Sequence, residues 1–95
     1  MNNKILIELI VPMLEEKYDV FIPSNKKVGN VIILLTKVIN ELSGGYAQES
    51  THACLYNGIT GLPYNVDDLI RHTDIRNGTK LILMWGDLNW QNQIF

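Results

Sequence analysis

The chain is poor in the residues that usually carry chemistry. It has one cysteine, Cys54, and two histidines, His52 and His72. A lone cysteine forms no internal disulfide and no cysteine-based zinc site. Cys54 sits in an apolar run, where a thiol behaves as a small hydrophobe. Two histidines at this separation supply too few ligands for a metal site, so no metal is expected. Basic charge is also scarce, with eight Lys and Arg against ten Asp and Glu and a formal net charge of −2. No surface that could follow a phosphate backbone is implied, which excludes nucleic acid from the expected partners. Long apolar runs are absent, so direct membrane insertion is not expected. The opening stretch MNNKILIELIVPMLEEK breaks its apolar residues with Glu8 and sets Pro12, Glu15 and Glu16 where a signal peptide needs small residues. A cytoplasmic location is expected.

Catalytic patterns are missing as well. Gly44-Gly45 is not followed by Lys-Ser or Lys-Thr, so it reads as a helix stop and not as a phosphate loop. Ser43 and His52 lack an acid partner and an oxyanion motif. Asp67, Asp68 and Asp74 do not follow a calcium-loop pattern. Asp68 and Asp74 read instead as turn and cap acceptors. The expectation is a protein that is not an enzyme and needs no cofactor.

What remains is a well-patterned small domain. Ninety-five residues, 46% of them apolar, make one domain whose core is limited to about one sheet and one helix. Lys4 to Val11 reads as a strand, with Ile5, Ile7 and Leu9 on one face and Lys4, Leu6, Glu8 and Ile10 on the other. Pro12 ends it. Lys17 to Pro23 is a second strand, alternating Tyr18, Val20 and Ile22 against Asp19 and Phe21, and the two form an antiparallel hairpin. Ser24 or Asn25 is placed to cap a helix. Apolar residues at 28, 31, 32, 35, 38, 39 and 42 return to one helical face, with Ile33 off it. His52 to Tyr56 is a short third strand before an Asn57-Gly58 turn. Val66 to Ile70 reads as a short strand or a single helical turn. After Asn77-Gly78, Thr79 to Trp85 is the last strand, with Leu81 and Leu83 alternating against Lys80, Ile82 and Met84. The fold class is α+β: a mixed sheet of four to five strands with one long helix across one face, and the first and last strands parallel neighbours. Residues 1–85 form the domain and 86–95 a C-terminal tail.

Two segments resemble ubiquitin. YDVFIPSNKKVGNVIILL is similar to its second strand, turn and helix start through Pro23, Ser24, Val28, Asn30 and Val31. DLIRHTDIRNGTKLILM is similar to its closing stretch through Leu69, Ile75, Thr79, Leu81 and Leu83. Over residues 4 to 85 the chain also resembles the small bacterial ubiquitin-like proteins of the YukD and EsaB type, found in type VII (ESAT-6-like) secretion loci. That likeness runs through Tyr18, Asp19, Ile22, Pro23, Ile75, Asn77, Gly78, Leu81 and Leu83. It implies a ubiquitin-like β-grasp fold and a cytoplasmic accessory or regulatory role in a secretion machine, with a membrane or ATPase component as protein partner. The chain departs from ubiquitin in its SGGYAQEST loop and in ending GDLNWQNQIF, with no terminal pair of glycines. A modifier or sulfur carrier activated after C-terminal trimming is the alternative, and a self-assembling, homo-oligomeric module a third reading.

The expected contact surface is the sheet face away from the helix. Parity assigns it Leu6, Ile10, Ile82 and Met84, with Leu55 beside them, where an ordinary solvated face would be polar. Trp85 and Trp90 are expected anchors, as tryptophan is enriched among interface hot spots. Folding of the tail over this face, using Trp90, Ile94 and Phe95, is the competing expectation.

Overall fold

The structure, a computed structural model, describes residues 3–44 and 53–85. The strands are β1 (Lys4–Val11), β2 (Glu16–Pro23), β3 (Ala53–Asn57) and β4 (Lys80–Trp85), and the helix is α1 (Val28–Leu42). Short 3-10 turns cover Pro12–Leu14 and Ile70–His72. The short strand or single helical turn expected over residues 66–70 is instead turn and bend as far as Leu69, which makes an isolated bridge to Lys27, and the second 3-10 turn begins only at Ile70. The tail, with Trp90, Ile94 and Phe95, lies outside the described residues, as does His52.

β1 and β2 pair antiparallel from Lys4↔Pro23 to Val11↔Glu16. Pro12 brings no N–H to extend the ladder, and Glu15 turns the chain in the left-handed region at φ 54°. α1 then carries the chain across the sheet, a connection long enough to join parallel strands. β3 and β4 pair antiparallel, and β4 pairs parallel with β1 through Glu8↔Lys80, Leu9↔Leu81 and Ile10↔Ile82. The order is β2-β1-β4-β3, so the first and last strands stand side by side at the centre.

The core lies between α1 and one sheet face. β1 contributes Ile7, Leu9 and Val11; β4 contributes Leu81, Leu83 and Trp85; the helix contributes Val28, Val31, Ile32, Leu35 and Ile39. Two residues of the expected helical stripe, Val38 and Leu42, are exposed. Thr36 is buried in their stead, its Oγ1 donating to the Ile32 carbonyl at 2.8 Å, so no hydroxyl is left unpaired inside. Neither Ser24 nor Asn25 caps α1. Lys27 holds the cap position without a side-chain bond, and the first helical N–H groups find remote carbonyls: Val28 donates to Asp68 and Gly29 to Val66. Asp68 is thus a cap acceptor through its backbone. Beyond the helix Gly44 takes φ 74°, the conformation expected of a helix stop.

The segment after β3 is fixed by polar side chains. Asn57 Oδ1 accepts from the N–H groups of Ile59 and Thr60. Tyr64 Oη donates to Asp74 Oδ1 at 2.6 Å and accepts from Asn57 Nδ2 at 3.0 Å. Burial, reinforced by the Asp74 carboxylate, pushes the Tyr64 phenol up to about 12. At Gly58 a β-carbon would stand 2.9 Å from both Cβ and the carbonyl oxygen of Lys80, so only glycine lets this turn close on the start of β4.

Two outcomes follow. Gly58→Ala lowers unfolding free energy by about 1–3 kcal/mol in urea titration, because the start of β4 must shift to admit the methyl group. For Tyr64, the unfolded chain releases its phenolic proton near pH 10 while the folded one holds it to about 12. The stability it contributes is therefore intact below pH 10 and lost as pH rises from 10 to 12. Denaturant titrations across that range show a shallower decline for Tyr64→Phe than for the parent.

Candidate protein-binding face

Strand parity gives the sheet a second face that α1 does not cover. Cross-strand partners share a face, so the register lays it out. Leu6 stands opposite Phe21, Glu8 opposite Asp19 and Ile10 opposite Lys17. On the other side of β1, Glu8 lies beside Lys80 and Ile10 beside Ile82. Further across, Tyr56 is opposite Ile82 and Cys54 opposite Met84.

This arrangement brings Leu6, Ile10, Ile82 and Met84 to one surface. Leu6 is exposed, and Ile10, Ile82 and Met84 are half-buried by their neighbours. Phe21 joins them and is 63% exposed, a large aromatic standing free beside Leu6. It is not among the contact residues expected from sequence, although the alternation of β2 sets Phe21 on the side away from Tyr18, Val20 and Ile22. Only the register, which pairs Phe21 with Leu6, brings it to this cluster. Cys54 and Tyr56 also belong here, and burial together with the adjacent Cys54 thiol raises the Tyr56 phenol above its ordinary value.

Two expected residues are elsewhere. Leu55 is 1% exposed and pairs with Leu83, so it points to the helix side and fills the core. Trp85 follows the same parity as Leu81 and Leu83 and is likewise buried at 7% exposure. Its indole N–H meets no acceptor among the described residues. Trp90 lies outside them.

The face is mixed in polarity. Apolar groups gather toward its two ends, at Leu6 with Phe21 and at Ile10 with Ile82 and Met84. Between them runs a row of charge, Lys80, Glu8 and Asp19. A second apolar strip lies on α1, where Leu34, Val38 and Leu42 recur every four residues and are exposed. Among the described residues no group of three His, Cys, Asp or Glu is placed to hold a metal ion. None of the helices in the described residues is long and apolar enough to cross a membrane.

No protein-family model matches the chain, and no curated protein matches it. Solved structures do. The ubiquitin-like domain of EccD5 from Mycobacterium xenopi superposes with a TM-score of 0.74 at 15% identity, covering 90% of this chain and 98% of that one. The ubiquitin-like domain of the Mycobacterium tuberculosis type VII secretion system protein ECCD1 gives 0.68 at 12% identity, covering 88% and 99%. A chain of the MycP5-free ESX-5 inner membrane complex gives 0.74 at 16% identity; 90% of this chain is covered but only 21% of that one, so the likeness spans about a fifth of that protein. The fold is the ubiquitin-like β-grasp, an α+β architecture with a four-stranded mixed sheet and one helix. It resembles the ubiquitin-like domains of type VII secretion proteins.

The two faces of β3 and β2 separate in a mutational test. Leu55→Ala lowers stability by about 2–5 kcal/mol, as expected for a truncated core leucine. Phe21→Ser changes it by no more than about 0.5 kcal/mol, the range for an exposed site. Thermal melts of the two variants check this placement.

Proposed function

We propose that this domain is a non-catalytic protein-binding module, a cytoplasmic accessory or regulatory component of a type VII secretion system, and that it docks through the sheet face opposite α1. The observation that carries this reading is the set of apolar side chains on that face: Phe21, Leu6, Ile10, Ile82 and Met84. A sheet face that only met water would carry polar residues at these positions. Two apolar clusters flanking a charged row suit a protein contact, since the aromatic and aliphatic groups supply burial and the charges set register. The secretion-system assignment draws on the resemblance in fold to the ubiquitin-like domains of EccD5 and ECCD1 and to a chain of an ESX-5 inner membrane complex. The partner of this reading is a membrane-embedded or ATPase component of such a machine. Residues 1–85 act as the binding domain and 86–95 as an appended tail.

Purified domain immobilised on beads and exposed to the cytoplasmic parts of type VII secretion membrane and ATPase components tests the reading. Wild-type protein retains a partner. Phe21→Glu and Ile82→Glu, each placing a charge in the apolar clusters, reduce retention at least about tenfold, because a desolvated unpaired charge costs more than 1.4 kcal/mol. Leu34→Glu on the helix leaves retention unchanged. Equal retention by all variants would rule out the sheet face.

A further inference from the structure

The two edges of the sheet are finished differently. At the β3 edge, residues 62–64 fold back along the strand: Asn57 N–H donates to the Leu62 carbonyl and Tyr64 N–H to the Leu55 carbonyl. At the β2 edge, no strand among the described residues lies outside β2. β2 is eight residues long, in unbroken register with β1 and without proline before Pro23.

Which backbone groups it presents can be read from β1. Glu8 N–H donates to Thr79 and Gly78 N–H to the Leu6 carbonyl, so even-numbered residues of β1 turn their groups toward β4. Odd-numbered ones turn toward β2, and Ile5↔Ile22, Ile7↔Val20 and Leu9↔Tyr18 are its hydrogen-bonded pairs. Lys17, Asp19 and Phe21 therefore direct their N–H and carbonyl groups outward. An extended edge of this kind is a template for another strand.

Charge decides which strand. On the open face Asp19 stands directly opposite Glu8, a like-charge pair that is unfavourable in a sheet. Lys80 flanks Glu8 on the β4 side. The next place in the row, beyond Asp19, belongs to whatever joins the edge, and it calls for a cation. We propose that a second copy of this chain pairs there, β2 against β2 antiparallel, with Tyr18 opposite Tyr18 on the two-fold axis. In that register Lys17 of one copy stands opposite Asp19 of the other, twice. The row becomes Lys80, Glu8, Asp19 and then the second copy's lysine. Lys17 and Asp19 are the outward-turned residues, so each such pair also exchanges two backbone hydrogen bonds. Sliding by one residue on each strand puts Asp19 against Asp19 or Lys17 against Lys17 and forfeits the complement. The result is a continuous eight-stranded sheet with both helices on one side, held by a small interface at the weak end of specific association. This inference stands apart from the docking of a secretion component on the open face.

Sedimentation velocity of the full chain from about 10 μM to about 1 mM tests it. The mass rises with concentration toward twice the 10.8 kDa of one chain. Asp19→Lys and Lys17→Asp each weaken association roughly tenfold, by turning two attractive pairs repulsive. The double variant, with both charges exchanged, restores it. Asp19→Lys also removes the Glu8 repulsion, so loss of association without loss of fold is readable by circular dichroism. As a register check, Tyr18→Cys in a Cys54→Ala background oxidises to a covalent dimer, since non-hydrogen-bonded partners lie about 4.5 Å apart at Cα. Val20→Cys in the same background does not. A single-chain mass at every concentration overturns the proposal, whether the edge is bare, covered by the chain's own tail or reserved for another protein's strand. A dimer indifferent to both single charge reversals overturns it too, by assigning association to a different surface.

Discussion

Everything in this domain hangs on the parallel contact between β1 and β4. Only Glu8 to Ile10 and Lys80 to Ile82 pair directly, yet this short ladder joins two antiparallel strand pairs that would otherwise be separate. Each pair alone buries too little to be stable. Together they present Ile7, Leu9, Val11, Leu81, Leu83 and Trp85 as one surface for α1 to cover. The turn before β4 supports the same junction. Asn77 Oδ1 accepts the Leu6 N–H at 2.8 Å, and Gly78 donates to the Leu6 carbonyl, so β1 is held on this side even before β4 begins. An otherwise orphaned pair of backbone groups is thereby satisfied.

The same pairing fixes what the open face can be. Once β1 and β4 are in register with even-numbered residues outward, Leu6, Ile10, Ile82 and Met84 cannot reach the core, whatever their hydrophobicity. Their exposure is a consequence of parity and of α1 being the only long helix among the described residues. The charged row of Lys80, Glu8 and Asp19 breaks this apolar surface in two. That division limits non-specific association, as a uniform apolar sheet face would aggregate. It also gives the surface a direction, with Phe21 and Leu6 at one end and Ile10, Ile82 and Met84 at the other.

Much of this was legible in the sequence because period and punctuation agreed. β1 and α1 begin and end where Pro12, the helical spacing and Gly44 indicate, and the central parallel pair follows from the crossover. Legibility failed where a contact distant in sequence decided the outcome. Leu55 sits in a five-residue strand whose ACLYN pattern does not reveal which side is inward; its pairing with Leu83 does. The start of α1 looked as if a nearby Ser or Asn would cap it, whereas carbonyls of Val66 and Asp68, nearly forty positions away, take that part. Thr36 could replace Val38 inside because its hydroxyl bonds within the helix, a compensation that hydrophobicity counting does not register. Alternation alone sets Phe21 on the open side of its strand, but its neighbour Leu6 is known only from register.

The central position of β4 has a consequence for biosynthesis. β4 is the strand that unites the two antiparallel pairs, so a nascent chain displaying only β1, β2 and α1 has an apolar helix face and half a sheet with nothing to close them. Productive folding must wait until Trp85 has cleared the ribosome, after which long-range closure sets the rate. Until that moment the exposed flank of β1 is the segment most in need of a chaperone.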